Sequence, residues 1–250
     1  CLMPKKTAEK THYDLENLSH DIYNDKSFAK SYAEKIEYNA HNALYERPAT
    51  LSLLPDVSGK TVLDAGCGPG AYTEWLVEKG AKVTAIDYSD EMLTYVRNRV
   101  GKNVRVMNAN INKEMTFFKD EEFDVIVSSM VLHYIRDWRL VFNEFNRILR
   151  VKGELVFSIH HPFMEFANHP EGSYYDTQLI EDEWPAFNIK MKYYRRPLSH
   201  VFGVLKETDF RFSELLEPKP IEECKELYPD SYETLSTKPW FICFKAIKEK

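Results

Sequence analysis

Gly66, Gly68 and Gly70 are spaced two apart and follow the apolar pair Val62-Leu63 and the acidic Asp64. Glycine has no Cβ, so a turn built this way can take positive φ and approach a ligand closely. The residues after it, Ala71-Tyr72-Thr73-Glu74-Trp75-Leu76-Val77, read as a helix, whose first N–H groups face anything bound at the turn. Asp87, 21 residues beyond Gly66, ends a second apolar run, Ala85-Ile86. A carboxylate at that place can accept both hydroxyls of a ribose. Together these residues suit an adenosine-bearing cofactor. The bland readings are a tight connection without a ligand, and an Asp87 that serves only the dipole of the next helix.

The glycine spacing separates two cofactor classes. The dinucleotide fingerprint G-x-G-x-x-G needs glycine at its sixth position, where this chain has Ala71. A nicotinamide-dependent oxidoreductase is therefore the less favoured alternative. Three histidines, His133, His160 and His161, could supply a proton acceptor or be structural. Two adjacent histidines on a strand point to opposite faces and make a poor chelating pair, so no metal site is expected.

Apolar runs at 62–65, 82–86, 103–107, 123–129 and 154–159 read as strands. Helical patterns at 70–79, 90–100 and 137–150 alternate with them, the second capped by Ser89 with Met92 at its third position. Such alternation implies βαβ units. A helix at 198–208 and strands at 210–216 and 239–246 complete the pattern. The expected fold is α/β: a doubly wound, mostly parallel, seven-stranded Rossmann-like sheet with helices on both faces. Residues 1–22 read as a flexible N-terminus, 23–55 as a helical cap, and 56–250 as the main domain. An insertion at 160–197 follows the fifth strand and carries Phe163, Phe166, Tyr174, Tyr175, Trp184, Phe187, Tyr193 and Tyr194. An insertion this long is usually functional or carries small elements of its own, and with residues 23–45 it is expected to form a lid over the acceptor pocket.

The run Val62-Leu63-Asp64-Ala65-Gly66-Cys67-Gly68-Pro69-Gly70 resembles motif I of the class I S-adenosylmethionine-dependent methyltransferases. Phe123 to Ile135, through Ser128, Ser129 and His133, resembles motif IV and the turn after it. The resemblance covers about residues 25–160 well. It implies that the turn, with Asp64, Gly66, Cys67 and Gly68, cradles the methionine half of the cofactor, that Tyr32 also binds the cofactor, and that the carbonyls of Ser128 and Ser129 receive the ammonium. It further implies Asp87 on the ribose, Tyr88 and Met92 flanking adenine, and Asn110 with Ile111 at its edge. Asn110 stands where the family often has an acidic residue, and the alignment could slip to Asn108 or Asn112. His133 and His161 are the candidate catalytic groups. His161-Pro162, the run from Tyr194 to Leu198, and Leu216-Glu217-Pro218 resemble a small-molecule subgroup similar to the ubiquinone and menaquinone methyltransferases. Asp209-Phe210, where relatives often have Gly-Phe, and His200 depart from that pattern.

The expected activity is methyl transfer from S-adenosylmethionine to an aromatic or largely apolar small molecule. A cofactor-binding protein without catalysis is a further alternative. Arg195, Arg196 and His200 could hold an anionic group of the acceptor. A net charge of −6 disfavours nucleic acid as a partner. No apolar run reaches the ~18 residues of a membrane span, and the four cysteines lack a disulfide spacing. A cytoplasmic protein is expected.

Overall fold

The computed structural model describes residues 19–250; the expectation for a flexible N-terminus falls outside these as far as residue 18. Residues 19–24 are helical. Helix α1 (Lys26–Tyr38) follows, capped by Asp25, whose side chain accepts from the Phe28 amide. The expected helical cap is broken by a π turn, Asn42–Glu46, before α2 (Arg47–Leu53) begins with proline in its first turn.

Five strands follow in the expected alternation: β1 (Thr61–Ala65), β2 (Lys82–Asp87), β3 (Arg105–Asn108), β4 (Phe123–Ser129) and β5 (Leu149–His160). Between them lie α3 (Ala71–Glu78), α4 (Asp90–Val100) and α5 (Arg139–Ile148). Ser89 caps α4 by accepting from the Met92 amide, as its position predicts. β1 and β4 are buried along nearly their whole length, the signature of parallel strands covered on both faces.

After β5 come α6 (Pro162–Asn168), the hairpin β6 (Gln178–Trp184) and β7 (Ile189–Arg195), α7 (Leu198–Glu207) and β8 (Phe210–Leu216). Helices α8 (Glu222–Leu227) and α9 (Pro229–Thr237) occupy a stretch where the residue pattern predicts no element. Strand β9 (Phe241–Lys248) closes the sheet. Its order is β3-β2-β1-β4-β5-β9-β8, parallel from β3 to β5, with β9 antiparallel to both neighbours. The order reverses between β1 and β4. In open α/β sheets ligands bind in the crevice beyond the strand ends at such a point.

The insertion is a helix and a hairpin rather than a loop. Phe187 at the hairpin tip packs on Phe28 and Tyr32, with ring centroids 5.4 and 5.7 Å apart. Ile180, Met191 and Tyr193 join Phe28 in one buried cluster. The hairpin therefore braces α1 from behind. No helix among the described residues is long and apolar enough to cross a membrane.

Candidate active site

The glycine turn after β1 is pinned from below. The Gly66 and Cys67 amides both donate to the Ile86 carbonyl, at 2.8 and 3.0 Å. All three glycines have positive φ, +79°, +52° and +92°. A Cβ on Gly66 would lie 2.3 Å from a Val131 methyl, so that glycine is required by the neighbouring turn. A Cβ on Gly68 would meet nothing within 4 Å, and the space before it belongs to a cleft of about 1200 Å³, its open mouth included.

Asp87 ties that turn to the next helix. One carboxylate oxygen accepts from the Gly68 amide at 2.9 Å and the other from the Ser89 amide at 2.8 Å. Each oxygen keeps a further lone pair for a ligand hydroxyl. Burial pushes its carboxyl above the usual range, while the bonds from Ser89 and Gly68 pull it down. The cleft also receives Tyr88 and Met92 beside Asp87, and Asn110 and Ile111 from the loop after β3. Asn110 accepts from the Asn112 amide at 2.9 Å, which shapes that loop into an Asx turn. Ser129 reaches the cleft from the end of β4, and Tyr32 from α1.

Two expected residues sit one layer behind. Asp64 is buried and accepts from the Thr73 hydroxyl at 2.6 Å. Burial raises its carboxyl to about 7 against the pull of that bond. The Ser128 hydroxyl donates to the Ala65 carbonyl at 2.9 Å. Both brace the turn.

The cap and the turn after β4 together contribute a wall of which the residue pattern indicated only Tyr32. Tyr23, Tyr32 and Tyr134 face the cleft together, the Tyr23 and Tyr134 hydroxyls 2.8 Å apart. Burial raises all three phenols, Tyr32 to about 12. Glu46 lines the cleft although only 2% exposed. It accepts from the hydroxyls of Thr50 at 2.7 Å, Tyr72 at 2.8 Å and Ser129 at 2.9 Å, and from that of Ser158. The π turn brings it there: the Arg47 amide bonds back to the Asn42 carbonyl, five residues away, so the helix widens and turns Tyr45 and Glu46 inward. The residue after β4, Met130, holds φ of +54° at the cleft wall. A non-glycine residue held there is strained and commonly marks a functional site.

The profile of a family described as a methyltransferase domain matches residues 63–157. That span runs from within β1 through the glycine turn and Asp87 into β5. The chain carries a methyltransferase domain. It is 26% identical over 253 residues to an uncharacterized protein of Haemophilus influenzae, covering 91% of this chain and 96% of that one. A solved protein of Listeria monocytogenes, assigned to the S-adenosylmethionine-dependent methyltransferases, superposes with a TM-score of 0.71 at 25% identity. That match covers 82% of this chain and 97% of the other. Phosphoethanolamine N-methyltransferase 3 of Arabidopsis thaliana is 35% identical over 94 residues, 37% of this chain and 19% of that enzyme. That match spans about a fifth of the enzyme's length.

His133, His160 and His161 do not line the cleft of this methyltransferase domain. His133 is 3% exposed and stacks on His160, with ring centroids 4.3 Å apart, behind the β4 turn. Burial holds both rings neutral, His133 well below its ordinary pKa and His160 at about 4. His161 caps α6 by accepting from the Phe163 amide at 3.2 Å, and its other nitrogen donates to Glu217 at 2.9 Å. His161→Ala is accordingly expected to cost about 1 kcal/mol of stability, the scale of a lost N-cap. Its affinity for S-adenosylhomocysteine should match the wild type. Calorimetry and urea melts on the variant check both halves, and weakened binding with unchanged stability would contradict the capping role.

Arg195 and Arg196 are likewise buried inside the scaffold. Arg195 donates to the His169 and Glu171 carbonyls and to Gln178. Arg196 lies 3.9 Å over the Trp138 ring and donates to the Ile135 carbonyl. His200 sits edge-on to the same Trp138. Arg195 ties parts of the insertion to one another, Arg196 ties the insertion to Ile135 and Trp138, and none of the three lines the cleft. Among the described residues no group of three or more histidine, cysteine or acidic side chains could hold a metal ion.

Proposed function

We propose that this chain transfers the methyl group of S-adenosylmethionine to a small, largely apolar or aromatic acceptor held under the cap tyrosines. The observation that carries this reading is the clamp of Asp87 on the Gly68 and Ser89 amides beside an open Gly68. That geometry fits an adenosine: two carboxylate lone pairs for the ribose hydroxyls, and backbone bare of Cβ for the sulfur-bearing chain. The sulfonium, when bound, supplies the leaving-group chemistry. The chain's own residues must align an acceptor and keep water out. Tyr23, Tyr32 and Tyr134 offer rigid ring faces with hydroxyl tips, which suit an aromatic or apolar molecule carrying few polar groups.

Their raised phenols stay protonated at neutral pH, so they donate hydrogen bonds and do not remove protons. With the candidate bases His133 and His161 outside the cleft lining, and His20 packed on Tyr88 beside the ribose anchor, the reading favours catalysis by proximity. The three described cysteines, Cys67, Cys224 and Cys243, are buried and unpaired, which supports a reducing, cytoplasmic setting.

Calorimetry with S-adenosylhomocysteine and with NAD tests the reading. The first should bind and the second should not. Asp87→Ala should lose about 1.5–3 kcal/mol of that binding, the scale of hydrogen bonds to a charged group. Wild-type affinity in the variant would reduce Asp87 to a brace of the turn, and binding of NAD alone would replace the reading with the oxidoreductase alternative. Release of S-adenosylhomocysteine across a library of phenols, quinones, amines and carboxylic acids would then identify the acceptor.

A further inference from the structure

A carboxylate buried without a cation is costly even when neutral donors surround it, because hydrogen bonds from hydroxyls do not cancel its charge. Glu46 is in that position. Four hydroxyls converge on it from α2, α3, β4 and β5. They are unevenly shared. Oε1 takes Thr50, Ser129 and Ser158 and a second contact from Tyr72, whereas Oε2 accepts from Tyr72 alone. No ion pair among the described residues includes Glu46. The nearest cation in sequence, Arg47, donates instead to the Ile36 carbonyl at 3.1 Å. The group nonetheless borders the cleft.

Its place in the sheet limits what it can meet. Ser129 and Ser158, its partners, are aligned on the adjacent strands β4 and β5. Asp87 ends β2, on the far side of β1. At about 4.8 Å between strands, Glu46 stands roughly 12 Å across the sheet from the ribose anchor. A nucleoside anchored at Asp87 does not extend so far, but the amino-acid end of the cofactor or an acceptor does.

Resting on the methyl-transfer reading, we infer that Glu46 is the ammonium-binding residue of the cleft. Its open Oε2 lone pair accepts an N–H bond from a protonated amine and supplies the counter-charge the burial lacks. The amine is either the α-ammonium of the cofactor or that of the acceptor. A carboxylate or phosphate on an acceptor is disfavoured at this end of the cleft by like charge.

The test compares three ligands on wild type and Glu46→Gln by calorimetry: S-adenosylhomocysteine, its desamino analogue, and 5′-methylthioadenosine, which lacks the amino-acid chain. If the cofactor supplies the ammonium, Glu46→Gln weakens S-adenosylhomocysteine about 10- to 100-fold. The other two ligands are then unaffected. Wild type also binds the desamino analogue as weakly as the variant binds S-adenosylhomocysteine, a comparison that stands if the variant does not fold. If the acceptor supplies it, all three affinities survive the substitution. In that case wild type releases S-adenosylhomocysteine with primary amines and not with the corresponding alcohols, and Glu46→Gln loses that turnover. Equal affinities for S-adenosylhomocysteine and its desamino analogue, with no preference for amines over alcohols, would overturn the inference. Wild type binding none of the three ligands would overturn the methyl-transfer reading itself, a result distinct from the previous one.

Discussion

Gly66→Ala is expected to destabilise the protein by about 2–5 kcal/mol, whereas Gly68→Ala folds almost normally and loses the cofactor. The two glycines share positive φ, so alanine at either costs roughly 1–2 kcal/mol of backbone strain. Space separates them. At Gly66 the new methyl would lie 2.3 and 2.8 Å from the two methyls of Val131. Val131 belongs to the turn after β4 beside the strained Met130, so it cannot withdraw without moving the cleft wall, and overpacking adds about 1–3 kcal/mol. At Gly68 the methyl would meet no protein atom within 4 Å and would project into the cleft. The cost there falls on the ligand, and affinity for S-adenosylhomocysteine should drop more than tenfold. Urea melts and calorimetry on the two variants separate the effects. Full affinity in Gly68→Ala would mean that the space before Gly68 is not where the cofactor lies.

The contrast between these glycines marks what the sequence could and could not convey. The turn and Asp87 were legible because their chemistry is written in residue type at fixed spacing along one βαβ unit. The alternation of the first five strands with helices was legible in the same way, whereas their order in the sheet comes from the structure. Glu46 was not legible. A glutamate in a helical run reads as solvent-facing, and only the π turn, which has no sequence signature of its own, rotates it inward. Tyr23 and Tyr134 come from segments 111 residues apart, a pairing that no local pattern encodes. The histidines point the other way. Their type suggested proton transfer, yet His133 is the middle residue of a 3-10 turn (Leu132–Tyr134) in which the next residue, Tyr134, takes the cleft face, while His161 is used as a cap. Residue type proposes chemistry, but a shift of one position along a strand end or turn decides which side of the wall it serves. In the 160–197 stretch Ile180, Met191 and Tyr193 pack against Phe28 of α1, so the hairpin braces the cap and the cap does the covering.

Asp64→Asn is expected to become progressively more stable relative to wild type as pH rises from 4 to 7. Asp64 is 2% exposed, and burial raises its carboxyl from 3.8 to about 7. In that window the folded state holds a proton that the unfolded state has released, so stability falls with rising pH. The contribution is fully present below pH 3.8 and gone once the pH passes about 7. A carboxyl displaced by one pH unit between the two states carries about 1.4 kcal/mol, so the change across the window is on the order of 3–4 kcal/mol. Glu165, also raised to about 7 by burial, acts in the same sense. His160, lowered to about 4, acts oppositely: its stability is present above 6.5 and lost as pH falls to 4. The wild-type profile is therefore a sum of opposing slopes, and only the difference between variant and wild type isolates Asp64. Asparagine keeps an acceptor for the Thr73 hydroxyl and carries no charge to bury. Urea melts of both proteins at pH 4.5, 6 and 8 measure that difference. A constant value would mean that Asp64 is ionised throughout, its charge balanced by the turn it braces.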